Sequence, residues 1–398
     1  MLNGSPTRPR VLLLIGFMAP ARIALFTELA ARFSFEAWIL ADVRRIRPWR
    51  ENLSEAAFTY RMVPSLRIPT GNQDYQVILN YSLPFALVRH RHDVLVTAGW
   101  DTPAAFYTAH YAALTKTPFV LWAGSTAHEN NWRRSLGRCL VRSVVKRAGA
   151  WVAYGARSKD YLASLGADPQ RVFCAYNAVD TAPFADASHM TEDEKAAFKR
   201  RLGLGPGRLV FYCGQLIARK GLADLLPAFA KAAQHHPDLT LVVAGSGPRR
   251  AQFQALAEAG GVGERTLFAG HISRSDLPQY YAAADLFALP SREEVWGLVI
   301  NEALATGTPV LTTAAVGAAP DLVRHGENGY VAPANDPDAL ADIMLRHFGP
   351  QTDLPAMRRA ARDSIAPFTI ARSADAFQAA VQCALERHRR QAQKKGPG

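Results

Sequence analysis

The 398-residue chain predicts an α/β protein of two doubly wound, Rossmann-like domains facing an inter-domain cleft. Three observations predict it. Short apolar runs of strand length alternate with helical stretches from end to end. Glycine turns follow several of those runs. The alternation breaks once, around Asn177-Ala-Val-Asp180, and then begins again.

Taken in order, Val11–Ile15 is an unbroken apolar run, as a parallel strand buried on both faces requires, and it ends at Gly16. Ala21–Phe33 reads as a helix and Ala37–Leu40 as a strand. Asp93–Gly99 is a strand ending at Trp100-Asp101, and Thr102–Leu114 a helix opened by Pro103. Phe119–Trp122 is a strand running into Ala123-Gly-Ser-Thr126, and Trp132–Arg147 a helix. Trp151–Tyr154 and Val172–Ala175 close a first domain over residues 1–180. The polar stretch Asp186–Gly207 carries a short helix of its own and marks residues 181–207 as a linker. In the second domain, residues 208–369, the predicted strands are Leu209–Cys213, Leu239–Ala244, Arg265–Phe268, Leu286–Leu289, Pro309–Thr312 and Gly329–Val331. A helix over Ile370–Arg390 and a basic tail make up residues 370–398.

Hydrophobic residues at 49% and charged residues at 20% describe a soluble globular protein and exclude a disordered one. No apolar run reaches the ~20 residues that span a bilayer. Residues 1–180 hold 22 Lys and Arg against 12 Asp and Glu, so ten of the twelve net positive charges fall there. That bias predicts an anionic surface or substrate beside the first domain, although basic patches also serve solubility alone. The four cysteines are scattered, with neither paired nor metal-ligand spacing, as free thiols in a reducing, cytoplasmic compartment would be. Arg8-Pro-Arg10 followed by an apolar run imitates a secretory signal, but the same residues serve better as a buried first strand.

The chemistry concentrates in Leu289–Val310, where Glu294 lies in a loop and Glu302 eight residues on, beyond the helix start at Gly297-Leu298. That spacing sets the second carboxylate about 8 Å further along the axis. An anion held on the helix N-terminus would have one carboxylate on each side, matching the hydroxyl–pyrophosphate–hydroxyl layout of a nucleoside diphosphate sugar. Cys213-Gly-Gln-Leu-Ile-Ala-Arg-Lys-Gly221 leaves a strand, turns on Gly214 and presents Arg219-Lys220, two cations suited to a diphosphate. Alone, such a pair is usually an exposed connector. Val243-Ala-Gly-Ser-Gly-Pro248 is a glycine turn without the full dinucleotide fingerprint. Glu302 sits inside the apolar helix Leu298–Leu304, where a carboxylate needs partners.

In their order these pieces resemble the retaining glycosyltransferases of the two-Rossmann (GT-B) type, family 4. The matching residues are Gly214–Gly221, Gly245-Ser-Gly-Pro248, Gly270, Ala284–Ser291, the Glu294/Glu302 pair, Gly307-Thr-Pro-Val310 and Gly326-Glu-Asn-Gly329, with Asn177-Ala-Val-Asp180 at the domain boundary. The resemblance implies that Arg219 and Lys220 bind the diphosphate, helped by backbone N–H groups at Trp296, Gly297 and Leu298. It implies that Glu294 holds donor-sugar hydroxyls, that Glu302 holds the ribose, and that His271 and Ile272 line the base. The loop after the first strand, from Gly16 to Arg22, would face the donor phosphate, yet the family's double glycine is missing there. Many members carry a His just after the strand that matches Phe119–Trp122; here His128 comes several residues late and reads equally as a catalytic group or a polar helix cap. Asp101 is an alternative acceptor-side carboxylate, or the cap of the helix behind it.

No metal is expected: the single Asp-x-Asp, Asp336-Pro-Asp338, is a helix start. No cofactor is implied beyond the nucleotide sugar. Arg134, Arg138, Arg142 and Lys146 recur every four residues, with Leu136, Leu140 and Val144 on another face, and Arg44–Arg50 adds a second basic cluster. That surface suits an anionic membrane, or is a solvated basic face; no nucleic-acid motif accompanies it. The expected function is transfer of a hexose from a nucleotide sugar to a lipid-linked or soluble glycan acceptor in cell-surface polysaccharide synthesis, in the cytoplasm, either free or peripheral on the inner face of the membrane. The rivals are a nucleotide-sugar epimerase of similar fold and a non-catalytic sugar- or membrane-surface-binding protein.

Overall fold

The computed structural model describes residues 8–41, 56–69, 76–100, 102–127 and 133–394. It forms two compact units, one built from the chain up to Ala178 together with the segment from Ile370 onward, the other from Val179 to Thr369. Unit 1 contains strands β1 (Arg10–Ile15), β2 (Ser34–Ile39), β3 (Thr59–Met62), β4 (Leu66–Pro69), β5 (Gln76–Leu79), β6 (Val94–Ala98), β7 (Phe119–Ala123), β8 (Ala150–Ala153) and β9 (Val172–Cys174). Its helices are α1 (Pro20–Arg32), α2 (Leu83–Arg89), α3 (Pro103–Thr115), α4 (Arg133–Arg147) and α5 (Ala156–Ser164). Unit 2 opens with α6 (Ala182–Ala187) and α7 (Glu192–Arg201), then alternates β10 (Leu209–Cys213), α8 (Leu222–His235), β11 (Thr240–Ala244), α9 (Arg250–Ala259), β12 (Thr266–Gly270), α10 (Leu277–Ala283) and β13 (Leu286–Leu289). It continues through α11 (Leu298–Ala305), β14 (Val310–Thr313), α12 (Ala319–Leu322), β15 (Gly329–Ala332), α13 (Pro337–His347) and α14 (Leu354–Ile365). The last helix, α15 (Ile370–Lys394), belongs to unit 1.

The strands of the first sheet run in the order β3-β2-β1-β6-β7-β8-β9 and those of the second in the order β12-β11-β10-β13-β14-β15, every pair parallel. Strand order therefore reverses between β1 and β6 and again between β10 and β13, the switch points where a doubly wound sheet leaves a crevice at its carboxyl edge. Burial on both faces explains why β1 and β10 read as unbroken apolar runs. In unit 1, Val11 and Leu13 point into one core with α1 and α15, while Leu12 and Leu14 point into another under α2, α3, α4 and α5. In unit 2, Val210 and Tyr212 face the α8 and α13 core, and Phe211 faces an aromatic cluster with Tyr281 and Phe287.

Three regions depart from the sequence reading. The antiparallel pair β4–β5, edge strand β3 and the short helices α2 and α5 are additional elements, too short to show a periodic pattern. The polar stretch read as a linker folds onto unit 2: a Thr191–Glu194 capping box starts α7, and Phe184 and Phe198 pack against Tyr281 and Tyr280. The segment read as a separate tail helix supplies part of the core of unit 1, where Phe377 is 1% exposed and meets Trp122 edge to face at 5.1 Å. The segment that imitates a secretory signal is β1, paired on both sides within the sheet. No helix among the described residues is long and apolar enough to cross a membrane.

Because Phe377 fills a closed site between α15 and β7, Phe377→Ala should cost about 3–5 kcal/mol. Thermal unfolding followed by tryptophan fluorescence should show the loss, and an unchanged transition would mean that α15 is not part of the core.

Candidate functional site

Glu294 stands at the centre of the site, just past the carboxyl end of β13. Its Oε2 forms a short ion pair with Lys220 Nζ and lies 3.7 Å from Arg219 Nη1. Both cations sit on the turn that follows β10, so the cluster occupies the switch point of the second sheet. Lys220 and Glu294 are each 13% exposed at the side chain, against 45% for Arg219. A pair so nearly enclosed has little water to replace a lost partner, which favours exchange with another charged group over simple opening.

The backbone holds that turn tightly. Gly221 closes it in the left-handed region, φ 72°, and a Cβ there would lie 1.8 Å from the carbonyl oxygen of Pro290. Arg292 N donates to the Arg219 carbonyl at 2.8 Å, and the Arg292 guanidinium grips Asp224 with two bonds of 2.8 and 2.6 Å. The loop after β10 is thus tied to the loop after β13, which fixes Arg219 and Lys220 relative to Glu294. Neither Arg292 nor Asp224 stands out in the sequence, because an Asp in the first turn of α8 looks like ordinary helix-dipole compensation.

Gly297, φ 93°, opens α11 with no side-chain cap and no acid in the first turn. The first amides of a helix have no carbonyl to donate to within it, so Gly297 and Leu298 present N–H groups and the positive end of the dipole. The Trp296 indole is buried: its Nε1 donates to Asn301 Oδ1 at 3.0 Å and anchors the start of the helix from beneath.

Glu302 lies partly exposed on α11, where its Oε2 accepts from the Tyr281 hydroxyl at 2.8 Å. Tyr281, fully buried, also bonds Cys213 at the end of β10, whose thiol burial pushes up to about 12, so it stays protonated. Burial raises the Glu302 carboxyl to about 7, opposed by the Tyr281 hydrogen bond. Tyr281 precedes Glu302 by 21 residues and sits on another helix, so no spacing rule could have found it.

The remaining sequence candidates divide. Gly214 follows β10 as expected, but its N–H is already committed to the Ala244 carbonyl at 3.0 Å. His271 is exposed and Ile272 half-buried in the loop after β12, and neither joins the hydrogen-bonded cluster among the described residues. In unit 1, Gly16 ends β1 with nothing within 4 Å of a built Cβ, so sterics do not demand glycine there. Arg22 stacks 4.4 Å above Trp122 and donates to Tyr154 Oη at 2.6 Å, with burial lowering its pKa. Asp101, His128 and the Arg44–Arg50 cluster lie outside the described residues. Asp336 caps α13 through the Ala339 N–H at 2.9 Å, and no group of three or more His, Cys, Asp or Glu among the described residues is placed to hold a metal.

The raised Glu302 pKa has a definite sign. Charging this carboxyl costs the folded state more than the unfolded one, so its contribution is complete below the ordinary carboxylate range and is lost as pH rises through about 7. Glu302→Gln keeps an acceptor for Tyr281 and removes that dependence. Its stability relative to wild type should therefore rise by on the order of 2 kcal/mol between about pH 5 and pH 8. Melting temperatures of both proteins across that range test it, and parallel curves would refute it.

Residues 194–362 match the model of the family described as glycosyl transferases group 1. The D-inositol 3-phosphate glycosyltransferase of Mycolicibacterium gilvum is 35% identical over 298 residues, 73% of this chain and 63% of that one. The alpha-D-kanosaminyltransferase of Streptomyces kanamyceticus is 28% identical over 279 residues, covering 68% and 70%. The chain thus spans less than two thirds of the mycobacterial relative. Among solved structures, Anabaena Alr3699/HepE in complex with UDP superposes with a TM-score of 0.70 at 19% identity, covering 97% of this chain and 100% of that one. WaaG, a glycosyltransferase involved in lipopolysaccharide biosynthesis, gives 0.65 at 20% identity over 93% and 98%. The fold is therefore the two-Rossmann, GT-B type expected from the sequence.

Proposed function

We propose that the chain is a retaining glycosyltransferase of the family 4 kind that moves a hexose from a nucleoside diphosphate sugar to a glycan acceptor, lipid-linked or soluble, in building a cell-surface polysaccharide. The observation that carries this reading is the Arg219–Lys220–Glu294 cluster at the switch point of unit 2, inside the segment that matches the family model. Nucleotide-sugar use is supported by the structural neighbour Alr3699/HepE, crystallised with UDP-glucose.

The cluster suits the charge changes of such a transfer. An incoming diphosphate takes over Lys220 and Arg219, with the amides of Gly297 and Leu298 at the start of α11 adding donors. Glu294, released from Lys220, turns its acceptor oxygens to sugar hydroxyls, and Glu302 accepts from the ribose. As the bond from the anomeric carbon to the diphosphate oxygen breaks, the two cations stabilise the departing charge. The acceptor hydroxyl attacks the same face of the sugar and its proton passes to the leaving phosphate oxygen, so no protein nucleophile or metal enters the step. Because ribose hydroxyls donate, they favour the ionised form of Glu302, and nucleotide affinity should rise as pH passes through about 7. The proposed site of action is the cytoplasm.

Lys220→Ala should lower transfer at least about 100-fold, the scale of losing one preorganised charge donor, and Glu294→Ala comparably. A panel of nucleotide sugars, with released nucleotide measured in the presence and absence of acceptor, checks both. Undiminished release by Glu294→Ala would refute the site. Sugar epimerised without acceptor would refute transfer. EDTA should leave the rate unchanged.

A further inference from the structure

One surface of unit 1 departs in composition from the rest of the molecule. Every exposed large hydrophobic side chain among the described residues except Leu256 belongs to this unit. Helices α2, α3 and α4 form one layer over the same sheet face, packing Leu83, Ala104 and Val144 inward. Tyr111 of α3 donates to the Leu87 carbonyl of α2 at 3.0 Å, which joins two of the three directly. The outward side of that layer carries Phe85 at 73% exposure, Val88 at 69% and Leu114 at 85%, with Tyr81, Tyr107 and Leu140 also exposed. In α2, Phe85 and Val88 fall on one stripe three residues apart, opposite the buried Leu83 and Leu87, and Tyr81 is exposed in the turn just before the helix. In α4, burial turns on Val144 and Val145, so Leu140 faces outward among the cations rather than inward with Val144 as its sequence spacing suggests.

The charge of the layer is one-sided. No Asp or Glu occurs in α2, α3 or α4, nor in strands β4 and β5 beside them. Exposed cations, by contrast, stand at Arg89, Arg91, Lys116, Arg138 and Arg142. Exposed apolar side chains rimmed by cations need an occupant that is apolar within and negative at its rim. A second copy of this chain does not qualify, because a self-complementary interface would oppose like charges with no carboxylate to pair them. Nucleic acid would satisfy the cations and leave Val88 and Leu114 without an apolar partner.

We propose that the outer face of the α2–α3–α4 layer is a docking surface for an anionic lipid bilayer, with Phe85, Val88 and Leu114 entering the boundary between headgroups and acyl chains and the arginines resting on the phosphates. The surface is independent of sugar transfer, and its test does not use activity. The full chain is floated with vesicles of phosphatidylcholine containing roughly 30 mol% phosphatidylglycerol, and with phosphatidylcholine alone. Wild type should float with the anionic vesicles, at least about tenfold less with the neutral ones, and progressively less as salt is raised. The double change Phe85→Ser, Leu114→Ser should cut flotation about tenfold at unchanged circular dichroism, and Val88→Glu likewise, since all three side chains are exposed and fold without them. Arg138→Gln with Arg142→Gln should flatten the salt dependence. Wild type that stays with the soluble fraction, variants that float like wild type, or a wild-type dimer in sedimentation velocity that Phe85→Ser, Leu114→Ser dissolves would each overturn the proposal.

Discussion

The pairing of Glu294 with Lys220 and Arg219 is the constraint around which unit 2 is arranged. Three charged groups meet where two loops leave adjacent strands, and an enclosed cluster of this kind persists only if both loops are held still. The fold provides this through Gly221 wedged against Pro290, the Arg292 amide on the Arg219 carbonyl, and the two-pronged Arg292–Asp224 bond. The reversal of strand order between β10 and β13 opens the space in which they meet.

The second carboxylate is controlled differently. Glu302 is bonded to a buried phenol, with a buried thiol behind it, and Arg274 acts on it only through its field. Two glutamates eight residues apart thus occupy contrasting environments, one fixed by opposite charge and one kept near its titration point by burial. The proposed nucleotide sugar would place reciprocal demands on them, its diphosphate competing for the cations and its hydroxyls donating to the acids.

Much of this was legible in the sequence, for physical reasons that differ by element. The strands of both sheets except edge strand β3 were readable because burial on both faces forces unbroken apolar runs, and Val11–Ile15 and Leu209–Cys213 show it most plainly. The Glu294, Lys220 and Arg219 positions were readable because a glycine turn after a strand limits what can follow it. The partners that tune them were not. Tyr281 and Asp224 are ordinary residues of ordinary helices until the fold sets them beside Glu302 and Arg292. Helix α2 was missed because seven residues with apolar side chains on opposite sides show no single-sided period. The helices after Val179 read as a linker because their surfaces are polar, while one aromatic residue on each, Phe184 and Phe198, does the anchoring.

The placement of α15 bears on how the molecule is made. Its apolar face closes one side of a sheet whose strands were all translated some two hundred residues earlier. All strands and helices of unit 2 lie between Val179 and Thr369, so it has every one it needs before α15 emerges from the ribosome. Helix α1 covers part of that face early, through Phe26 against Trp122, but the part of unit 1 that Phe377 and its neighbours close stays open while the intervening unit is synthesised. Of the two units, the one begun first is thus completed second, and during that interval the apolar strip reserved for α15 stays exposed.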